Sequence, residues 1–203
     1  MRVKYAVPLI LMALALSACG GEPGGITSEP DANGRTVALP DSFGEFVAHD
    51  QRCERVEQED MERCLANTAQ VRGVNEAAAA NVSTAYDGAA AVARGYEAQE
   101  GLYYAVVYLV AGGSPGLWSR QASEEWVTRA GVHGERTASK GNAVCILTTN
   151  DYVYTNDDEP PADAWVAHEC SASDGRSTAL VSLSGGVPEA MALDLTLQAL
   201  ASA

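Results

Sequence analysis

The residues whose types and spacing come nearest to catalysis are Gly112-Gly113-Ser114-Pro115-Gly116 and His168. The pentapeptide matches G-x-S-x-G and follows an apolar run. An aspartate (Asp157 or Asp163) and then His168 come after it, which is the order nucleophile, acid, base of an acyl-transfer triad. A serine so placed would attack an ester carbonyl while His168 took its proton. Three features count against that chemistry. The oxyanion hole of such a site uses the backbone N–H of the residue after the nucleophile, and Pro115 has none. Gly116-Leu117-Trp118 reads as a turn where the motif needs a helix, and His168 falls on the apolar face of a strand. A parallel sheet of hydrolase size cannot be drawn from this chain. GGSPG therefore reads as the turn that ends a strand, no residue is assigned as catalytic, and hydrolysis by Ser114 and His168 is kept as the alternative.

The remaining polar clusters support less. Asn150-Asp151 and Asn156-Asp157-Asp158-Glu159 gather oxygens in one loop without EF-hand spacing, so residues 150–159 read as a solvated acidic loop, with weak calcium binding left open. His49, His133 and His168 have no paired spacing of the kind a zinc site uses. Trp118, Trp126 and Trp165 are expected to anchor core or interface. No phosphate loop or dinucleotide fingerprint occurs, and no cofactor is expected.

Location is more legible than chemistry. Met1-Arg2-Val3-Lys4 places two cations before an apolar stretch, residues 5–16, shorter than the about 20 residues of a membrane span. That pattern is an export signal. It ends in Leu16-Ser17-Ala18-Cys19, which resembles the lipobox of bacterial lipoproteins at all four positions. The resemblance implies diacylglyceryl transfer to the Cys19 sulfur, cleavage after Ala18, and a mature chain held by lipid on the extracytoplasmic face of the cell membrane. With its alanine-rich, lysine-poor composition the chain is similar to small actinobacterial envelope lipoproteins. The full chain carries 13 Lys+Arg against 27 Asp+Glu, and loss of Arg2 and Lys4 with the signal leaves a formal charge of −16. Such a chain does not bind nucleic acid or an anionic surface by general electrostatics, so the lipid must make the membrane contact.

Four cysteines follow Cys19, an even count that in an exported chain argues for two disulfides with three possible connectivities. Asp174-Gly175 is a hairpin signal, and a two-residue turn there pairs Ser173 with Arg176. Counting back sets Cys170 opposite Ala179, His168 opposite Val181 and Val166 opposite Leu183, all on one buried face. The partner of Cys170 is then expected on the neighbouring strand, residues 143–148, which pairs Cys145 with Cys170. Cys53 and Cys64 would be about 16 Å apart on one continuous helix, beyond the about 7 Å that a disulfide spans. Their pairing predicts a helix over residues 61–71 presenting Met61, Cys64, Leu65 and Thr68 on one face, with Cys53 folded back onto it and Gly73 ending it.

A second helix is expected over 76–86, capped by Asn75 and stopped at Gly88. Residues 89–97 and 102–111 read as a strand pair, the second apolar on both faces as for a central strand. Residues 188–201 read as a helix with Pro188 in its first turn and Leu193, Leu197 and Leu200 on one side, although alternation through Leu193, Leu195 and Leu197 also permits a strand. Residues 1–18 are thus a signal and 19–46 a flexible acidic tether with an end-to-end distance of about 30 Å. Residues 47–203 form one α+β domain: an antiparallel sheet of about five strands with helices before it and at its end, braced by two disulfides. The function expected of it is non-enzymatic binding of a small ligand or an envelope protein.

Overall fold

The computed structural model describes residues 25–55, 57–113, 134–149 and 161–203. Cys19, Ser114, Trp118, Trp126, His133 and the acidic stretch 150–159 lie outside them. The elements run β1 (Ile26–Thr27), β2 (Ala38–Leu39), β3 (Ser42–Phe43), β4 (Phe46–Ala48), a 3-10 turn over His49–Arg55, α1 (Gln58–Ala85), β5 (Ala91–Ala98), β6 (Tyr103–Val110), β7 (Glu135–Lys140), β8 (Ala143–Thr149), β9 (Trp165–Ser173), β10 (Thr178–Ser184) and α2 (Glu189–Ala201). β1 and β2 form a two-stranded ribbon. The others form an antiparallel sheet of eight strands in the order β3-β4-β5-β6-β10-β9-β8-β7.

The architecture is α+β as expected, with a larger sheet than five strands. The five expected strands are β5, β6, β8, β9 and β10. β7, whose sequence is ERTASK, lacks large apolar residues, yet buries Thr137 and Ala138 beside β8. β1, β2 and β3 come from the stretch assigned to a tether, and β4 begins at its last residue. That boundary moves: residues 25–46 are folded, with Val37, Leu39, Phe43 and Phe46 buried in the core. These apolar groups sit in, or next to, strands of two or three residues, too short to show a periodicity.

One face of the sheet carries the main core, in which Val107 and Leu109 of β6 and Val181 of β10 meet Leu193, Leu195 and Ala199 of α2. α2 is a helix, not a strand, with Pro188 immediately before it. Its buried side is Ala192, Leu193, Leu195, Thr196 and Ala199, while Leu197 and Leu200 are only partly covered.

α1 corrects two expectations. It is a single helix through Gly73 rather than two helices, and Asn75, expected as a cap, lies buried within it. A mid-helix glycine costs about 1 kcal/mol relative to alanine, which the alanine-rich turns on its C-terminal side and packing along β5 offset. The helix ends at Ala85 and the chain turns away at Gly88, which has φ +78° and donates its N–H to the Ser83 carbonyl at 2.9 Å. Cys53 does fold back from the 3-10 turn, and its bridge to Cys64 has a Cα–Cα distance of 5.7 Å. Thr68 on the same helix is buried, but Leu65 is exposed.

The hairpin register also differs. Ser173 faces Thr178 and Cys170 faces Val181, so the loop has four residues, 174–177. The Asp174 carboxylate accepts the N–H groups of Arg176 and Ser177, each at 2.8 Å, and so favours the longer loop. The Ser177 and Arg176 amides hold that carboxyl below its usual range. A slip of two residues keeps every side chain on its face, so Cys170, Ala179, Val181 and Leu183 remain buried. Cys145 lies directly opposite Cys170 on β8, with Cα atoms 4.0 Å apart, and the two are bridged.

His168 is displaced from its expected position by a bulge. Ile146 pairs with Glu169 and Leu147 with Ala167, which leaves His168 as the extra residue on β9. The core face therefore changes parity across it: Trp165 and Ala167 point into the core where Val166 and His168 were expected, and His168 is exposed.

Candidate functional site

A cleft of about 710 Å³ opens between α1, the first half of β5, and the segment from β1 to Asp31. Its origin is visible in the side chains of α1. Thr68, Val71, Arg72, Asn75, Glu76, Ala79, Ala80 and Ser83 face it at helical spacing. This stripe carries small or polar groups where a packing helix carries leucine. Residues 88–93, which lead into β5, are equally small, five of the six being Gly or Ala. The volume that larger apolar side chains would fill is left open.

Gly95 brings the strand against its neighbour at the other end of the cleft. A β-carbon there would lie 2.5 Å from the Tyr104 hydroxyl oxygen. His49, from the 3-10 turn, stands edge-on to the Tyr104 ring with centroids 6.3 Å apart, and its Nδ1 is 3.7 Å from Oε1 of the buried Glu97. Burial pushes the Tyr104 phenol above its ordinary value.

Arg94 fixes the walls of this end. Its side chain is 4% exposed, and its Nη2 lies 2.7 Å from Asp50 Oδ1 and 2.8 Å from Asp41 Oδ1. Nη1 donates to the carbonyls of Pro40, at 2.9 Å, and Leu39, at 3.4 Å, while Nε donates to Asp50 at 3.2 Å. Burial disfavours the charged guanidinium, but Asp50 and Asp41 outweigh that penalty and hold its pKa above the ordinary value. Tyr96 adds a bond from its hydroxyl to the Pro40 carbonyl at 2.7 Å, and burial raises its pKa well above that of a free phenol. One arginine thus ties residues 39–50 to the sheet through a planar fork that lysine cannot reproduce.

Among the described residues singled out from the sequence for chemistry, His49 lines the cleft, and Asp163, Trp165 and His168 do not. Trp165 is a buried anchor with the Arg136 guanidinium 4.7 Å above its ring. Asp163 is exposed in a 3-10 turn. Gly113, the residue before Ser114, abuts Gly175 at the hairpin loop; its β-carbon would lie 2.8 Å from the Gly175 carbonyl oxygen. His168 stands five residues along β9 from Ser173, about 16 Å at 3.3 Å per residue. The chain therefore enters the Ser114 segment far from the imidazole.

Arg94, Asn75 and the cleft itself were not foreseen. An arginine in AVARGYEA has the look of a solvent-facing strand residue, and its partners are 44 to 55 positions away. The stripe on α1 was readable in principle, since i, i+3, i+4 spacing holds from Thr68 to Ser83. Among the described residues no helix is long and apolar enough to cross a membrane. No protein-family model, no curated protein and no solved structure matches this chain.

Proposed function

We propose that this chain is a lipid-anchored extracytoplasmic binding module that holds a small ligand in the cleft between α1 and β5. The observation that supports it is the cleft: a cavity of ligand-binding size, whose lining joins a stretch of small apolar side chains to polar and charged groups. Its walls are pre-formed, because Arg94 and the Cys53–Cys64 bridge fix the 3-10 turn against β5 and α1. The separation of Gly113 from His168 speaks against the hydrolytic alternative.

The neutral fluorophore N-phenyl-1-naphthylamine tests the binding reading. Its emission should rise when mixed with the protein, and Ala80→Trp, which places an indole across the cleft from an exposed position on α1, should weaken that binding by about tenfold or more. Equal binding by both proteins would show that the dye sits elsewhere.

The anchor has its own test. Intact mass of the membrane-extracted protein should show loss of residues 1–18 and acyl mass added at Cys19, because two chains on one cysteine suffice for stable retention. Cys19→Ala should leave the membrane fraction or remain unprocessed. A variant that fractionates and weighs as the wild type does would refute lipidation.

A further inference from the structure

The cleft is graded from end to end. α1 and β5 run in opposite directions, joined by the short connection through Gly88, so the C-terminal half of α1 lies over the start of β5. At that end the lining is Ala79, Ala80, Ser83 and residues 89–93, which lead into β5, a largely apolar floor about 13 Å long at 3.3 Å per residue. At the other end it is Thr68, Arg72, His49, Asp50 and Arg94. Along α1, Thr68 to Ser83 spans about 22 Å at 1.5 Å per residue. One leaflet of a bilayer, half of about 30 Å, sets the length of a single acyl chain at about 15 Å, so the groove matches one chain and a small head.

Asn75 stands where the two halves meet. It is 8% exposed, it lines the cleft, and its carboxamide has no hydrogen-bond partner among the described residues. Buried amides in folded proteins are satisfied, and a carboxamide both donates and accepts. The charges select against an anionic head. Arg94 is already neutralised by Asp50 and Asp41, and Asp31 is occupied by Arg35, so the other charged groups of the lining are one guanidinium, Arg72, and two carboxylates, Glu76 and Glu29. A cationic head finds no buried carboxylate in the cleft without a cation, since Asp31 is held by Arg35 and Asp50 by Arg94.

We infer that the cleft holds a neutral single-chain amphiphile whose hydroxyl or ester head hydrogen-bonds to Asn75 and whose alkyl chain lies along Ala79, Ala80 and residues 89–93. This rests on the binding reading above and adds the ligand class and its direction.

The test uses the full chain as its Cys19→Ser variant in detergent-free buffer, titrated calorimetrically with monododecanoylglycerol, dodecanoate and dodecyltrimethylammonium below their micellar concentrations. Monododecanoylglycerol should bind at least about tenfold more tightly than either ion. Asn75→Leu should erase that preference by weakening the glyceride alone, and Ala80→Trp should weaken all three. Because Asn75→Leu alters a buried position, Asn75→Gln is the second variant: it keeps the carboxamide and should retain part of the preference. Equal affinities for the three compounds, or a glyceride affinity unchanged in Asn75→Leu, would overturn the inference. If N-phenyl-1-naphthylamine binds in the cleft while no dodecyl compound does, the amphiphile is wrong and the cleft reading stands. If the dye also fails to bind, the cleft reading falls first.

Discussion

Arg94→Leu should destabilise the folded chain by about 3 kcal/mol, the loss expected when one partner of a buried ion pair is removed and the other is left in place. Asp50 and Asp41 would keep their charges beside an apolar side chain, and the Leu39 and Pro40 carbonyls would lose a donor. The damage should be local before it is global. Residues 39–50 are held to β5 through this side chain, and they carry His49 and Asp50 of the cleft wall. Limited proteolysis should therefore cut within residues 25–50 of the variant under conditions that leave the wild type intact. Arg94→Lys keeps the charge but gives up the fork of five donors, so it should recover less than half of the loss. Urea unfolding of the three proteins is the measurement. A loss below about 0.5 kcal/mol, the range of ordinary surface substitutions, would mean that the fork contributes little and that the segment is held by its buried apolar groups, the Tyr96 bond to Pro40 and the pairing of β4 with β5.

What could be read in the sequence follows from how local its cause was. β6 and α2 announce themselves by long apolar runs, and both disulfides were reached by geometry within short stretches. The hairpin shows how a wrong step can leave a right conclusion. Asp-Gly favours a two-residue turn, but the Asp174 carboxylate prefers the two amides of a four-residue loop, and the resulting slip is even, so Cys170 stays on the core face. His168 had no such protection. The bulge at His168 exchanges inside for outside over residues 165–168, and strict alternation cannot announce a bulge that lacks a glycine.

The N-terminal segment failed for another reason. Its composition is that of a linker, rich in Gly, Pro and acids, and only four large apolar groups between residues 37 and 46 mark it as part of the fold. Their burial depends on a cation 44 to 55 residues away, which no window of local pattern contains. The cleft was hidden likewise. It exists because one helix face and one strand carry alanine where packing would call for leucine, and a lack of large side chains shows only once two elements are seen to lie together.

Removing the bridge between β8 and β9 should be the costlier of the two disulfide losses. Cys145 and Cys170 enclose 25 residues against 11 for Cys53 and Cys64. On the chain-entropy relation this gives about 3.5 kcal/mol for Cys145→Ala with Cys170→Ala and about 2.8 kcal/mol for the other pair. Packing widens the gap, since Cys145 and Cys170 are both buried in the main core and their loss also empties volume there, whereas Cys64 is only partly covered. The effects on the cleft should run the other way. The Cys53–Cys64 bridge joins the 3-10 turn carrying His49 and Asp50 to the helix carrying Arg72 and Asn75, so its loss loosens two walls of one cavity. The Cys145–Cys170 bridge touches none of the residues that line it. Urea midpoints should therefore rank the pairs in one order, and N-phenyl-1-naphthylamine affinity, measured where both variants are still folded, should rank them in the reverse order. If the Cys53–Cys64 variant lost more stability and kept full affinity, neither the core placement of Cys145 nor the cleft's dependence on the 3-10 turn would stand.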